Sequence, residues 1–172
     1  MEAYFNQETL NKVDNLMKII WNGNRLYDTA CNILKVNFNM YNLEEVLHQN
    51  YAHFFPEFSD KLVGFLEGYN TIVNYPATME SPSDLHLMNP IEIIIELREY
   101  FLNFRKAVYD LALSLDRAKF AEYDLAEFLE KINLELVDKT HRIIKIENEL
   151  IGSLRPDSSK REIIDLDNYI KW

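Results

Sequence analysis

The sequence predicts an all-α protein: four long helices packed as a bundle, with one long crossover between the second and the third. Three observations carry this. Only 4 glycines and 5 prolines occur in 172 residues, too few for the closely spaced turns of a β-sandwich. Hydrophobic residues make up 48% of the chain and aromatics 13%, enough to build one core in a chain of single-domain length. Apolar residues also recur at three- and four-residue spacing in four separate stretches.

The first stretch runs from about Gln7 to Phe38, with Val13, Met17, Ile20, Tyr27, Cys31, Leu34 and Phe38 on one stripe. Asn22-Gly23-Asn24 interrupts it, so a kink or a local backbone requirement is expected there. The second runs from about Leu43 to Tyr69, its stripe being Leu43, Leu47, Tyr51, Phe54, Phe58, Leu62, Phe65 and Ile72. Pro56 lies inside it; a missing amide donor predicts a bent helix rather than two helices.

Asn70 to Met88, punctuated by Pro76, Ser81, Pro82 and Ser83, reads as the crossover, with Leu85 and Leu87 in a short packed turn. Asn89-Pro90 opens the third helix as cap and first-turn proline. Its core face is Ile94, Leu97, Phe101, Phe104, Val108, Leu111 and Leu115. The fourth is expected to open at Asp124 with Glu127 as a capping box and to end at Gly152. Leu125, Leu129, Ile132, Leu136, Ile143 and Leu150 line it. Short links make helices one and two, and three and four, antiparallel neighbours. One long crossover between such pairs is the ferritin-like arrangement. The expected division is a bundle over residues 1–152 and an extension over 153–172 that packs on the body or on a neighbouring subunit.

Charge and composition narrow the function. A net charge of −10 repels phosphate backbones, so DNA binding through the acidic surface is not expected. The single cysteine, Cys31, forms no intrachain disulfide and fits a reducing compartment; on the apolar stripe it reads as a buried structural thiol. Met1-Glu2-Ala3-Tyr4-Phe5 lacks the basic and apolar regions of a secretory signal, and no apolar run is long enough to span a bilayer. A cytoplasmic protein is expected. No Gly-rich phosphate loop or Ser-His-Asp arrangement points to other catalysis, and His53 and His86 read as surface.

Carboxylate metal sites inside four-helix bundles use a glutamate and a histidine three residues on. Glu45-Val46-Leu47-His48 and Asp138-Lys139-Thr140-His141 have this spacing. By phase, however, Asp138 and His141 point away from the stripe of Leu136 and Ile143, and Glu45 points nearly opposite Leu47.

The stretch from Asn37 to Tyr69 resembles the Dps family, the miniature ferritins. Asn37-Phe38-Asn39-Met40 is similar to the segment ending that family's first helix, and Leu47-His48 to the pair that begins its second. Tyr75-Pro76-Ala77-Thr78-Met79-Glu80 is similar to its crossover, and Lys139 and His141 before an aliphatic run to its last helix. The resemblance implies a hollow dodecameric homo-oligomer that oxidises and stores iron and protects against oxidative stress. It places the iron sites between two-fold-related subunits, on outward helix faces. It carries His48 and Glu67 over as metal ligands, with Asn37 standing where the first histidine is expected. Val63 replaces an expected aspartate, and Ala52 occupies an often acidic position, so the ferroxidase centre is incomplete. The alternative is a metal-free ferritin-like structural or interaction module. A bundle outside the ferritin class that binds a partner is the third reading.

Overall fold

The computed structural model describes residues 3–80 and 84–172; Met1, Glu2 and the crossover residues Ser81, Pro82 and Ser83 lie outside the described set. The described chain is helical, without a strand. The helices are α1 (Gln7–Phe38), α2 (Tyr41–Leu47), α3 (Phe54–Glu67), α4 (Pro90–Ser114), α5 (Phe120–Ser153) and α6 (Lys160–Asp167). A π-helical turn, His48–Ala52, joins α2 to α3, so the two form one irregular helix and the bundle is four-membered.

Helix α1 starts at Asn6, whose side chain accepts from the Thr9 amide at 2.8 Å. It ends at Asn39, which takes the left-handed conformation (φ 55°) that closes a helix. The helix passes through Asn22-Gly23-Asn24 without a break, and both unusual residues there serve packing. A Cβ on Gly23 would lie 2.7 Å from the Phe55 ring and 2.9 Å from Tyr100 Cε1, so only glycine admits those rings. Asn24 Nδ2 donates to the Ala52 carbonyl at 3.0 Å. In a regular helix that carbonyl would accept from residue 56, but Pro56 has no N–H.

The bend expected at Pro56 is resolved by the preceding turn, where the His53 amide reaches His48 O at 3.1 Å, one residue further back than in an α-helix. Helix α3 ends earlier than the stripe suggests: Asn70 is left-handed (φ 50°) and Ile72 is 86% exposed. The crossover then runs beside α1. Asn74 binds Asp14 through its amide (3.1 Å) and Nδ2 (2.9 Å), and the Glu80 amide donates to Asn22 Oδ1 at 3.0 Å. In the short turn, Leu85 is buried but Leu87 points out at 76% exposure.

Asn89 and Glu92 form the capping box that opens α4, with Pro90 in its first turn. The opening of α5 differs from expectation. It begins at Phe120, and the anchoring carboxylate is Glu122, not the Asp124/Glu127 pair. Glu122 is 2% exposed and accepts from Thr9 Oγ1 (3.0 Å) and the Asp116 amide (2.7 Å). Asp124 instead accepts from the Tyr69 hydroxyl, and Glu127 faces Arg117 at 3.4 Å. Helix α5 ends at Ser153, one residue beyond Gly152. Helices α4 and α5 are clamped by Arg98, whose Nε and Nη2 donate to the two Glu147 oxygens at 2.7 and 3.1 Å.

Beyond α5 the chain turns back onto the bundle. Asp167, at the end of α6, accepts from the Asn42 and Leu43 amides (2.9 and 2.8 Å) and so caps α2, which has no side-chain cap of its own. Trp172 lies against Tyr51, Lys139 and Arg142.

Candidate metal centre

A metal centre inside a helical bundle takes inward-pointing carboxylates and imidazoles. Here the middle of the bundle holds rings. Tyr27 stacks on Tyr51 with centroids 5.4 Å apart, and Phe54, Phe55, Phe58, Phe101 and Phe104 pack around them. The two phenols donate to main chain, Tyr27 to Leu97 O (2.8 Å) and Tyr51 to Lys139 O (2.6 Å). Burial raises both phenol pKa values well above the ordinary 10, so neither offers a phenolate. The buried carboxylates are all engaged: Glu122 and Asp167 cap main chain and Glu147 holds Arg98. Among the described residues no three His, Cys, Asp or Glu side chains are placed to hold a metal ion. The bundle interior does not fit a di-iron centre.

Cys31 is buried at 3% exposure and its Sγ lies 3.7 Å from Glu44 O. Burial pushes the thiol up to about 12, with the nearby Glu44 and Asp28 carboxylates adding to the effect. It is a packed structural thiol.

Metal-ligating chemistry lies on the outside of the π-turn. His48 is half-buried, with Nε2 3.7 Å from Asp28 Oδ1 on α1 and Nδ1 4.0 Å from Glu44 Oε1 on α2. Its ring centroid is 4.3 Å from that of His53. Neither carboxylate distance is a hydrogen bond. In an α-helix, residues five apart diverge by about 140°; the wider π-turn brings His48 and His53 together. Neither partner of His48 is visible in the sequence: the π-turn brings His53 to it, and packing of α1 against the turn brings Asp28.

The other two candidates stand apart from this cluster. Asn37 is exposed near the end of α1, and Glu67 is exposed at the last position of α3. At a rise of about 1.5 Å per residue, Glu67 lies about 28 Å from His48 along the helix. One chain therefore does not bring His48 and Glu67 together. The extra residue of the π-turn does change their phase, by about 100°, and returns Glu67 to the side of the helix that carries His48. Val63 is half-buried in packing, and Ala52 is buried with its carbonyl on Asn24. Lys139, family-like in sequence, is 7% exposed; its Nζ donates to Asn50 O at 2.6 Å under the rings of Tyr51, Phe54 and Trp172. Asp138 and His141 are exposed, and Asp138 accepts from Arg142 at 3.0 Å.

By sequence, no family model and no curated protein matches the chain. Solved structures do match. Crystals of three PmFTN ferritin variants soaked in iron superpose with TM-scores of 0.81 to 0.83, at 14–15% identity, over 94–96% of this chain and 98–100% of theirs. The fold is that of a ferritin. Coverage of nearly the whole of both chains extends the likeness beyond a shared helical hairpin to the bundle as a whole. Among the described residues no helix of this ferritin-like chain is long and apolar enough to cross a membrane.

Proposed function

We propose that this ferritin-like chain is an iron-binding and storage protein of the Dps type, assembling into a hollow homo-oligomer in the cytoplasm and protecting against oxidative damage. Its ferroxidase centre is altered. What supports this reading is the contrast between an aromatic bundle interior and the accessible His48 and Glu67 side chains of a single irregular helix, which helical phase across the π-turn puts on one side. Iron is the substrate, and its contacts lie between subunits, His48 of one chain facing Glu67 of another. Asn37 adds a neutral carbonyl oxygen. Valine at 63 and alanine at 52 supply no ligand, so ferrous ion is held by fewer donors and oxidised slowly. The net charge of −10 concentrates cations at the surface and favours uptake into an enclosed cavity.

The test is aerobic oxidation of ferrous iron followed by absorbance. Oxidation should run faster with the protein than in buffer, and His48→Ala or Glu67→Ala should slow it. Buffer-level rates for the unaltered protein would remove the catalytic part of the reading.

A second reading, a metal-free ferritin-like structural or interaction module, draws on the same filled interior and on Val63 and Ala52. It predicts that elemental analysis finds no stoichiometric iron, and that replacing both His48 and Glu67 leaves folding and assembly unchanged.

A further inference from the structure

We infer that the groove between α4 and α5 binds a small amphiphilic carboxylate, its head on Arg105 and its hydrocarbon body along Tyr109 and Leu113. The inference goes beyond iron storage and uses none of the residues proposed for it.

The Arg105 guanidinium carries the argument. Three arginines are half-buried: Arg98, Arg105 and Arg142. Both oxygens of Glu147 hold Arg98, and Asp138 holds Arg142 at 3.0 Å. Arg105 has no such carboxylate among the described residues, in a chain where acidic residues outnumber Lys and Arg by 28 to 18. Its partner is neutral, Nη1 donating to Thr140 Oγ1 at 3.2 Å. Thr140 in turn donates to Leu136 O at 2.6 Å, so that hydroxyl is satisfied without the arginine. A guanidinium presents five N–H donors in a fork that matches a carboxylate. Partial burial without an anion leaves the charge undercompensated, and an arriving carboxylate is stabilised by it.

The space beside Arg105 suits an apolar body. A groove of about 310 Å3 runs between the two helices, at the lower end of the range for small-molecule sites. Buried Val108, Leu129 and Leu136 form its base, and Tyr109, Ala112 and Leu113 its α4 side. Tyr109 and Leu113 are 61% and 66% exposed, so apolar surface there is still in water and gains from being covered. Arg105 lies beside Thr140 and Arg117 beside Glu130, so the two guanidiniums mark opposite ends of the groove. Arg117 is neutralised by Glu127 and Glu130, which leaves a cation open to an anion at the Arg105 end alone. That asymmetry fixes the orientation, head on Arg105 and tail toward Leu113. The distance from Arg105 to Leu113 is about 12 Å along α4, which suits an acyl chain of roughly ten carbons. A second negative charge on the tail would meet Glu130, so the class is a monocarboxylate.

The test is calorimetric titration of the full-length protein with decanoate below its aggregation concentration, with native mass measured on the same samples. One decanoate per chain should bind. Arg105→Gln should weaken binding about tenfold or more, while Arg105→Lys retains part of the affinity. Leu113→Asn should weaken it about threefold or more. The uncharged 1-decanol should bind about tenfold more weakly than decanoate. Arg25→Gln, which alters an exposed arginine of α1 outside the groove, should leave affinity within about twofold. Unchanged thermal melts of each variant establish that the fold is intact. Absence of saturable decanoate binding would overturn the inference, as would equal binding of 1-decanol or equal losses in Arg25→Gln and Arg105→Gln. A fall in native mass on adding decanoate, or in Arg105→Gln, would overturn it in favour of a contact between copies of the chain. Failure of the iron-storage reading alone would look different: aerobic iron is not taken up while decanoate still binds through Arg105.

Discussion

At the residue scale, Gly23 and Gly64 have the same chemistry and opposite surroundings. Helix propensity favours alanine over glycine by about 1 kcal/mol at either position. At Gly64 nothing lies within 4 Å of a new Cβ, so Gly64→Ala should stabilise by about that amount. At Gly23 the Cβ would meet Phe55 at 2.7 Å and Tyr100 at 2.9 Å, and overpacking of that kind costs about 1–3 kcal/mol. Gly23→Ala should therefore lower the melting temperature by roughly 2–4 °C while Gly64→Ala raises it. Paired thermal melts decide the matter, and equal shifts of the same sign would remove the close-approach explanation. Cys31 gives a pH dependence. The folded thiol is raised from 9.0 to about 12, so its contribution is fully present below 9.0 and is lost as pH climbs between those values, where only the unfolded chain ionises. The buried tyrosines add to the loss above 10. Urea melts should show stability falling from pH 9 upward, with a shallower first fall in Cys31→Ala. The unaltered thiol should also resist alkylation until the chain unfolds.

At the scale of elements, the irregular α2–α3 helix depends on two remote side chains, Asn24 and Asp167. Asn24→Ala leaves the Ala52 carbonyl without its donor, a loss of about 1–3 kcal/mol. In a Pro56→Ala background residue 56 regains an amide that can take that carbonyl, so the cost of Asn24→Ala should shrink. Additive losses in this double-mutant cycle would contradict the link between the two residues. Asp167→Ala removes the cap on α2 and should cost about 1–2 kcal/mol. Faster hydrogen exchange should follow at the first turns of α2, measured on the intact chain. The sequence shows why these elements form but not how they are joined. The stripes of α1 and α4, and the Asn89-Pro90 start, follow from local spacing and capping, and they stand where the pattern puts them. The start of α5 is not legible from local sequence, because Glu122 is anchored by Thr9, a partner more than a hundred positions away that no local window contains. The end of α5 needs no distant partner: Gly152 lies one residue before the last helical position, Ser153.

At the scale of the whole molecule, one stripe per helix and one long crossover were enough to specify a ferritin-like bundle, because burying four such stripes together leaves few alternatives. The site was less legible. Phase along an ideal helix depends on every residue between two positions, and the π-turn adds one that the sequence does not mark. That single insertion pairs His48 with His53 and swings Glu67 to the same side, so an α-helical phase cannot anticipate either relation. Aromatic residues from α1, α3 and α4 fill the bundle interior, which leaves only outward faces for the metal chemistry proposed above. The most direct test of that account is the native mass of the protein after aerobic exposure to ferrous iron. A closed shell of about twelve subunits that carries iron in excess of its surface sites agrees with a storage cage. A monomer or dimer without iron would contradict it, leaving the ferritin fold in place but without the cavity that storage requires.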